Sequence, residues 1–268
     1  ENTILGYDAS ENKSVKILKK KGIVVVNELS LKSVPDYMKR DDVIVIYTPA
    51  IQDDNIFLKY FRTNGNSKIY KRSEILGEIS KQFKCIAIAG THGKTTTTAI
   101  ITHLFHSSGI HFKAFIGGVM KCLDSNFIDT GNDYIIVEAD EYDRSFLNLN
   151  PNYAVITSIE SDHLDIYGDF RSLTESFQLF TNNVKDVLIT DAEIDIEKDF
   201  SYSIKSDSDY YVNNIKILEN EIRFDLKTPD KFYSNISANI IGLHNLKNVL
   251  AALSIIDQIK EIDIQNLL

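Results

Sequence analysis

Proline occurs only four times in 268 residues and cysteine only twice, so several protein classes drop out at once. Cys85 and Cys122 are too few for a disulfide framework and too unpatterned for a zinc site, which leaves them as reduced structural thiols. Scarce proline, together with 43% hydrophobic and 25% charged residues, excludes a disordered chain and predicts a globular one. No apolar run approaches the roughly 18 residues a membrane-spanning helix needs, and no basic-then-apolar leader opens the chain. Positive charge is also short: 29 lysines and arginines against 38 acids give a net charge of -9. That balance excludes a dedicated nucleic-acid or membrane-surface binder, because both need a clustered basic face. The expectation is a cytoplasmic protein of one large or two ordinary domains, with no nucleic-acid and no membrane partner. Repeats, low-complexity tracts and heptads are lacking as well, and nothing sets the oligomeric state.

What is present centres on Cys85-Ile86-Ala87-Ile88-Ala89-Gly90-Thr91-His92-Gly93-Lys94-Thr95-Thr96-Thr97-Thr98. An apolar run predicts a buried strand, Gly90 and Gly93 bracket a tight loop, and Ile100, Ile101, Leu104 and Phe105 mark one face of a following helix. Glycines let the loop backbone curl so that its N–H groups converge on phosphate oxygens at the positive end of the helix. Lys94 is then placed to reach terminal phosphates and the Thr95 hydroxyl to meet a magnesium ion between them, so ATP is the expected guest. The loop is shorter than a standard Walker A, which needs glycine where Ile88 stands.

Before this stretch the pattern alternates: strand 4–8, helix 13–21, strands 23–26 and 43–47, helix 54–64, a short strand near Ile69 and a helix from Ser73. Alternation of this kind predicts a first α/β unit with a small parallel sheet. Asp8 and Tyr47-Thr48-Pro49-Ala50 end strands on the side where doubly wound folds bind ligands, although solvated strand ends read the same way. The chain starts at Glu1, directly before a strand and without methionine, and is expected to be a piece of a longer one.

After the loop helix come a strand 112–116, Gly117-Gly118, a loop to Asn132 and the strand 134–137, which ends in Glu138-Ala139-Asp140-Glu141. Carboxylates at the carboxyl end of a buried strand share the sheet edge with the phosphate loop, so Glu138 is a candidate magnesium ligand and a solvated cap is the alternative. The strand 154–157 leads into Glu160-Ser161-Asp162-His163-Leu164-Asp165. His163 alone reads as a structural histidine, since magnesium prefers oxygen ligands. A helix is predicted over 170–182 and a strand over 187–190, and residues 200–241 read as an antiparallel extension. Finally, Gly242-Leu243-His244-Asn245-Leu246-Lys247-Asn248 runs into a helix 249–259. Asn245 and Asn248 share a face that could read an adenine edge while His244 packs on the ring, or they could simply cap the helix.

Four ordered motifs, Gly90-Thr91-His92-Gly93-Lys94-Thr95-Thr96, Glu138-Ala139-Asp140-Glu141, Asp162-His163-Leu164-Asp165 and Gly242 through Ala252, resemble the Mur ligases, ATP-dependent enzymes that build the UDP-muramyl precursor of peptidoglycan. The loop histidine His92, the segment 45–51 and Lys71-Arg72-Ser73-Glu74 resemble the branch that adds L-alanine to UDP-N-acetylmuramate. The resemblance implies a truncated Rossmann-like, UDP-substrate-binding domain over 1–83 and a phosphate-loop ATP-binding central domain with a mainly parallel sheet over 84–268. It also implies a first strand with a glycine-rich loop and a C-terminal domain that are not in this sequence, so the piece itself is expected to be inactive.

By the same resemblance, Gly90 through Thr96, His244, Asn245 and Asn248 would bind ATP. Thr95, Glu138 and His163 would hold Mg2+, and Lys94, Glu138 and His163 would serve catalysis. Some sisters carry a carbamylated lysine after the histidine, but residues 164–184 contain no lysine and that modification is not expected. The implied reaction is ligation of L-alanine through an acyl phosphate. The alternatives are a tripeptide ligase of cell-wall recycling, a non-catalytic nucleotide-binding module, or an unrelated phosphate-loop ATPase.

Overall fold

The computed structural model describes residues 3–39, 42–63, 67–120, 123, 125–162, 164–259 and 264. The chain divides into two compact units, Glu1–Ile75 and Leu76–Leu268. The division precedes the expected 83/84 boundary because Leu76, Ile79 and Phe83 pack with a core of the second unit.

In the first unit, β1 (Leu5–Tyr7) pairs in parallel with β2 (Val24–Val26) across α1 (Lys13–Lys20). Likewise β3 (Ile44–Tyr47) pairs in parallel with β4 (Lys68–Lys71) across α2 (Ile56–Thr63). Each helix is the crossover that a parallel pair requires. Among the described residues the expected single small sheet is two separate two-stranded sheets, flanking a cavity of about 1540 Å³ lined by Leu5, Tyr7, Ile44, Ile46 and Phe57. Asp8 accepts hydrogen bonds from the Ser10 N–H and hydroxyl and from Asn12. These bonds, the Ser10 N–H foremost, hold its carboxyl below the usual range, so it is a turn residue.

The helix α3 (Arg72–Ser80) leads into the second unit, whose described residues form a ten-stranded sheet of order β14-β13-β12-β11-β10-β9-β5-β8-β6-β7. Within it β5 (Lys84–Ala89) lies between β8 (Tyr134–Glu138) and β9 (Tyr153–Ile156), all parallel. Both faces are covered. Alternation along β5 sends Ile86 and Ile88 into a core shared with α4 (Lys94–Ser107) and α7 (Leu243–Asp257), where Ile101, Phe105, Leu246 and Leu250 are buried. Cys85, Ala87 and Ala89 face the other core, with Phe146 and with Leu173, Phe177 and Phe180 of α6 (Phe170–Thr181). The short α5 (Leu164–Tyr167) precedes α6.

Three expectations change. The loop to Asn132 contains β7 (Ser125–Asp129), antiparallel to β6 (Phe112–Met120), which runs through Gly117 and Gly118 with a register irregularity between Phe115 and Met120. Only Ile128 of β7 is buried, so the segment carries little apolar signal. The extension after β10 (Val187–Asp191) is antiparallel only in β12 (Tyr210–Ile217), β13 (Ile222–Lys227) and β14 (Phe232–Ala238). The strand β11 (Phe200–Ser203) is parallel to both neighbours, and its end meets only the start of β12, Tyr202 to Tyr210 and Ser203 to Tyr211, so a short loop suffices. Lastly, α7 starts at Leu243 rather than 249, with Gly242 at φ 87° before it.

Candidate functional site

Because β5, β8, β9 and β10 are parallel, Gly90, Glu138, Thr157 and Asp191 come to one edge of the sheet. The loop after β5 is braced from β9. The Thr91 N–H donates to the Ser158 carbonyl (2.9 Å), the His92 N–H to the Ser158 hydroxyl (3.0 Å), and the Thr157 hydroxyl to the Ala89 carbonyl (3.1 Å) and to that of His92. Thr91 reciprocates, its hydroxyl accepting the Glu160 N–H at 2.9 Å. Two glycines permit this closeness. A Cβ on Gly90, at φ 127°, would lie 2.2 Å from the Thr157 hydroxyl oxygen, and one on Gly93, at φ 85°, would lie 2.4 Å from Asn248 Oδ1.

Lys94 opens α4 and folds back over the loop. Its Nζ donates to the Gly90 carbonyl (2.7 Å), the Thr91 carbonyl (3.3 Å) and Glu141 Oε2 (2.7 Å). The lysine side chain is 15% exposed and the glutamate 1%. Beside it the Thr95 hydroxyl donates to Glu138 Oε2 at 3.2 Å, and Glu138 Oε1 accepts the Gly117 N–H at 2.7 Å. Burial pushes the Glu138 carboxyl above its ordinary pKa range, opposed by the Gly117 N–H, the Thr95 hydroxyl and the Lys94 charge. Thr96 is exposed in the same helical turn.

On α7, Asn248 lies against the loop at Gly93, whereas the Asn245 amide donates to the Ile241 carbonyl at 2.8 Å. The two asparagines thus share a helix face but engage different partners. His244 is exposed and packs on Gly242, where a Cβ would meet its ring at 2.7 Å. His163 lies outside the described residues.

Thr95 and Glu138 supply the oxygen donors that suit a hard cation. Among the described residues no group of three or more histidine, cysteine or acidic side chains could hold a metal ion. The residues present fit an ion shared with a phosphate ligand.

Residues 88–256 match the family described as the Mur ligase middle domain. The chain belongs to the Mur ligase family. It is 38% identical over 260 residues to UDP-N-acetylmuramate–L-alanine ligase of Christiangramia forsetii, and 37% identical over 260 residues to the Cytophaga hutchinsonii enzyme of that name. These matches take in 94% and 92% of the chain but 56% of each relative, so the chain spans about half the length of the curated relatives it matches. Among solved structures, UDP-N-acetylmuramate-alanine ligase MurC of Thermotoga maritima superposes with a TM-score of 0.84 at 27% identity, covering 95% of this chain and 59% of that one. The Neisseria meningitides ligase for L-alanyl-gamma-D-glutamyl-meso-diaminopimelate shares the fold, with a TM-score of 0.81 at 20% identity, covering 97% of this chain and 86% of that one.

Within this site, sequence reasoning missed the partners that hold the loop and its lysine, Glu141, Thr157 and Ser158, and the Gly117 N–H that holds Glu138. One signal was available. Paired glycines inside a strand mark a close approach, and a Cβ on Gly117 would lie 2.5 Å from Glu138 Oε2.

Proposed function

We propose that this chain is the substrate-entry and nucleotide-binding part of an ATP-dependent ligase that joins L-alanine to UDP-N-acetylmuramate in the cytoplasm. The observation that carries the reading is the phosphate loop with Lys94 over it and the Thr95–Glu138 oxygen pair beside it. Support for the substrates comes from the alanine-ligase relatives, whose identity to this chain exceeds that of the tripeptide-ligase structure.

In the reaction, the muramyl carboxylate attacks the γ-phosphorus of ATP, the bond to the β,γ-bridging oxygen breaks, and an acyl phosphate and ADP result. The amine of L-alanine then attacks the acyl carbon, loses a proton and expels inorganic phosphate. Such chemistry asks the protein for positioning and charge neutralisation. Loop N–H groups and Lys94 would bind the terminal phosphates, Asn248 would hold the loop at Gly93, and His244 and Asn245 would face the base. Thr95 and Glu138 would hold Mg2+, with His163 as a further ligand, and the ion would offset charge between the phosphates and the acceptor carboxylate. The first unit, 1–75, would bind the UDP-sugar.

The test is ADP release by the whole protein with ATP, Mg2+ and UDP-N-acetylmuramate, adding L-alanine, glycine, L-serine or the cell-wall tripeptide in turn. Stimulation chiefly by L-alanine is expected, and Lys94→Ala is expected to abolish it by several orders of magnitude. Stimulation by tripeptide alone would move the protein to the recycling reaction, and none at all would leave a binding module.

A further inference from the structure

An ammonium group has three N–H donors, and the structure supplies Lys94 with three acceptors: the Gly90 and Thr91 carbonyls and Glu141 Oε2. A phosphate oxygen can therefore bond Lys94 only in exchange for one of them. We propose that Glu141 is a positioning residue that acts through Lys94, holding it in a donor-saturated resting arrangement that a nucleotide phosphate must open. The proposal rests on the reading of residues 90–96 as a nucleotide-phosphate loop.

Glu141 is the strongest of the three competitors, because it is anionic and 1% exposed while the carbonyls are neutral. Its own placement is enforced. The Glu141 carbonyl accepts the Tyr167 hydroxyl at 2.5 Å and the Arg144 N–H at 3.0 Å. The Arg144 guanidinium in turn lies 5.6 Å from the centroid of the Tyr167 ring. Asp143 and Arg144 sit at φ 53° and 54°, a left-handed conformation that non-glycine residues seldom adopt and that the surroundings must impose. A strained turn thus aims one buried carboxylate at the loop lysine.

Opposite effects on the free and bound states follow. Glu141→Gln keeps the side-chain volume and an acceptor oxygen but removes the charge. The free protein loses the counter-ion of a largely buried lysine and becomes less stable. Bound phosphate then supplies the missing counter-charge and no longer faces a buried anion, so nucleotide binds more tightly. A residue with only a structural role would lower both quantities together.

Calorimetric titration of ATP and ADP, with magnesium, into the whole wild-type protein and its Glu141→Gln, Tyr167→Phe and Lys94→Ala variants tests this, alongside thermal midpoints with and without nucleotide. For Glu141→Gln the expected result is a Kd about tenfold lower, a lower unliganded midpoint and a larger nucleotide-induced shift. Tyr167→Phe, which loosens the Glu141 backbone, is expected to change affinity in the same direction by less. Unchanged or weaker binding in Glu141→Gln overturns the proposal, and if that variant does not fold, Tyr167→Phe decides by the same criterion. Lys94→Ala separates the two layers. If the wild type binds no nucleotide, or Lys94→Ala binds as tightly as wild type, the phosphate-loop reading fails and the proposal with it. If Lys94→Ala loses binding while Glu141→Gln gains none, only the proposal fails.

Discussion

A methyl group on residue 90 has nowhere to go: besides the Thr157 hydroxyl at 2.2 Å it would meet the backbone nitrogens of Ser158 and Thr157 at 2.8 and 2.9 Å. Backbone cannot swing aside as a side chain can, and φ 127° is itself strained for any residue with a Cβ. Gly90→Ala is therefore expected to cost about 2–4 kcal/mol in chemical denaturation and to abolish nucleotide binding in titration, because the whole brace from Thr157 and Ser158 must shift. Far from the loop, burial raises the pKa of the Asp257 carboxyl, against the pull of the Tyr210 hydroxyl that donates to it at 2.9 Å. A carboxyl whose folded-state pKa is raised withholds stability once ionised: the penalty is absent below its unfolded pKa and grows as pH rises through the raised one. Asp257→Asn, which keeps an acceptor for Tyr210, is expected to be at least as stable as wild type at neutral pH. In denaturation curves taken across the acid range, that advantage should vanish toward acid pH.

Elements differ in how much of themselves they show in one dimension. The strand β5, the loop and α4 are legible because three local codes agree: an apolar run, glycines bracketing a turn, and helical spacing that ends on Phe105. Phe105 is fully buried, edge-on to Phe112 and Tyr134 at centroid distances of 5.7 and 5.3 Å. Phe105→Ala should accordingly destabilise the second unit by about 3–5 kcal/mol, read as a lower denaturation midpoint. By contrast β7 hides behind polar residues at the sheet edge, and the parallel sense of β11 depends on a partner, since strand residues carry no mark of direction. The early start of α7 was obscured by Gly242-Leu243-His244-Asn245, whose glycine and asparagine also suit a loop.

Across the whole molecule, burial is shared unequally. In the first unit the buried apolar side chains among the described residues are Val15, Val25, Val34 and Leu58, while Ile4, Ile44 and Ile46 are more than half exposed. The second unit carries two extensive cores, one on each face of its sheet. Local stability follows buried apolar contact, so amide hydrogen exchange should be fastest in residues 1–75 and slowest in β5, β8 and β9. Equal protection of the two units would contradict that account. The α/β class, the strand–glycine loop–helix order around Gly90 and Gly93 and the polar strand ends followed from residue order alone, because each is a local code of spacing, turn chemistry and apolar periodicity. Which carboxylate reaches Lys94, which strand braces Thr91 and His92, and which asparagine meets Gly93 were decided only in three dimensions. Those partners lie far apart in the chain, Glu141 and Lys94 by 47 residues, and only the stacking of parallel strands brings their ends to one edge.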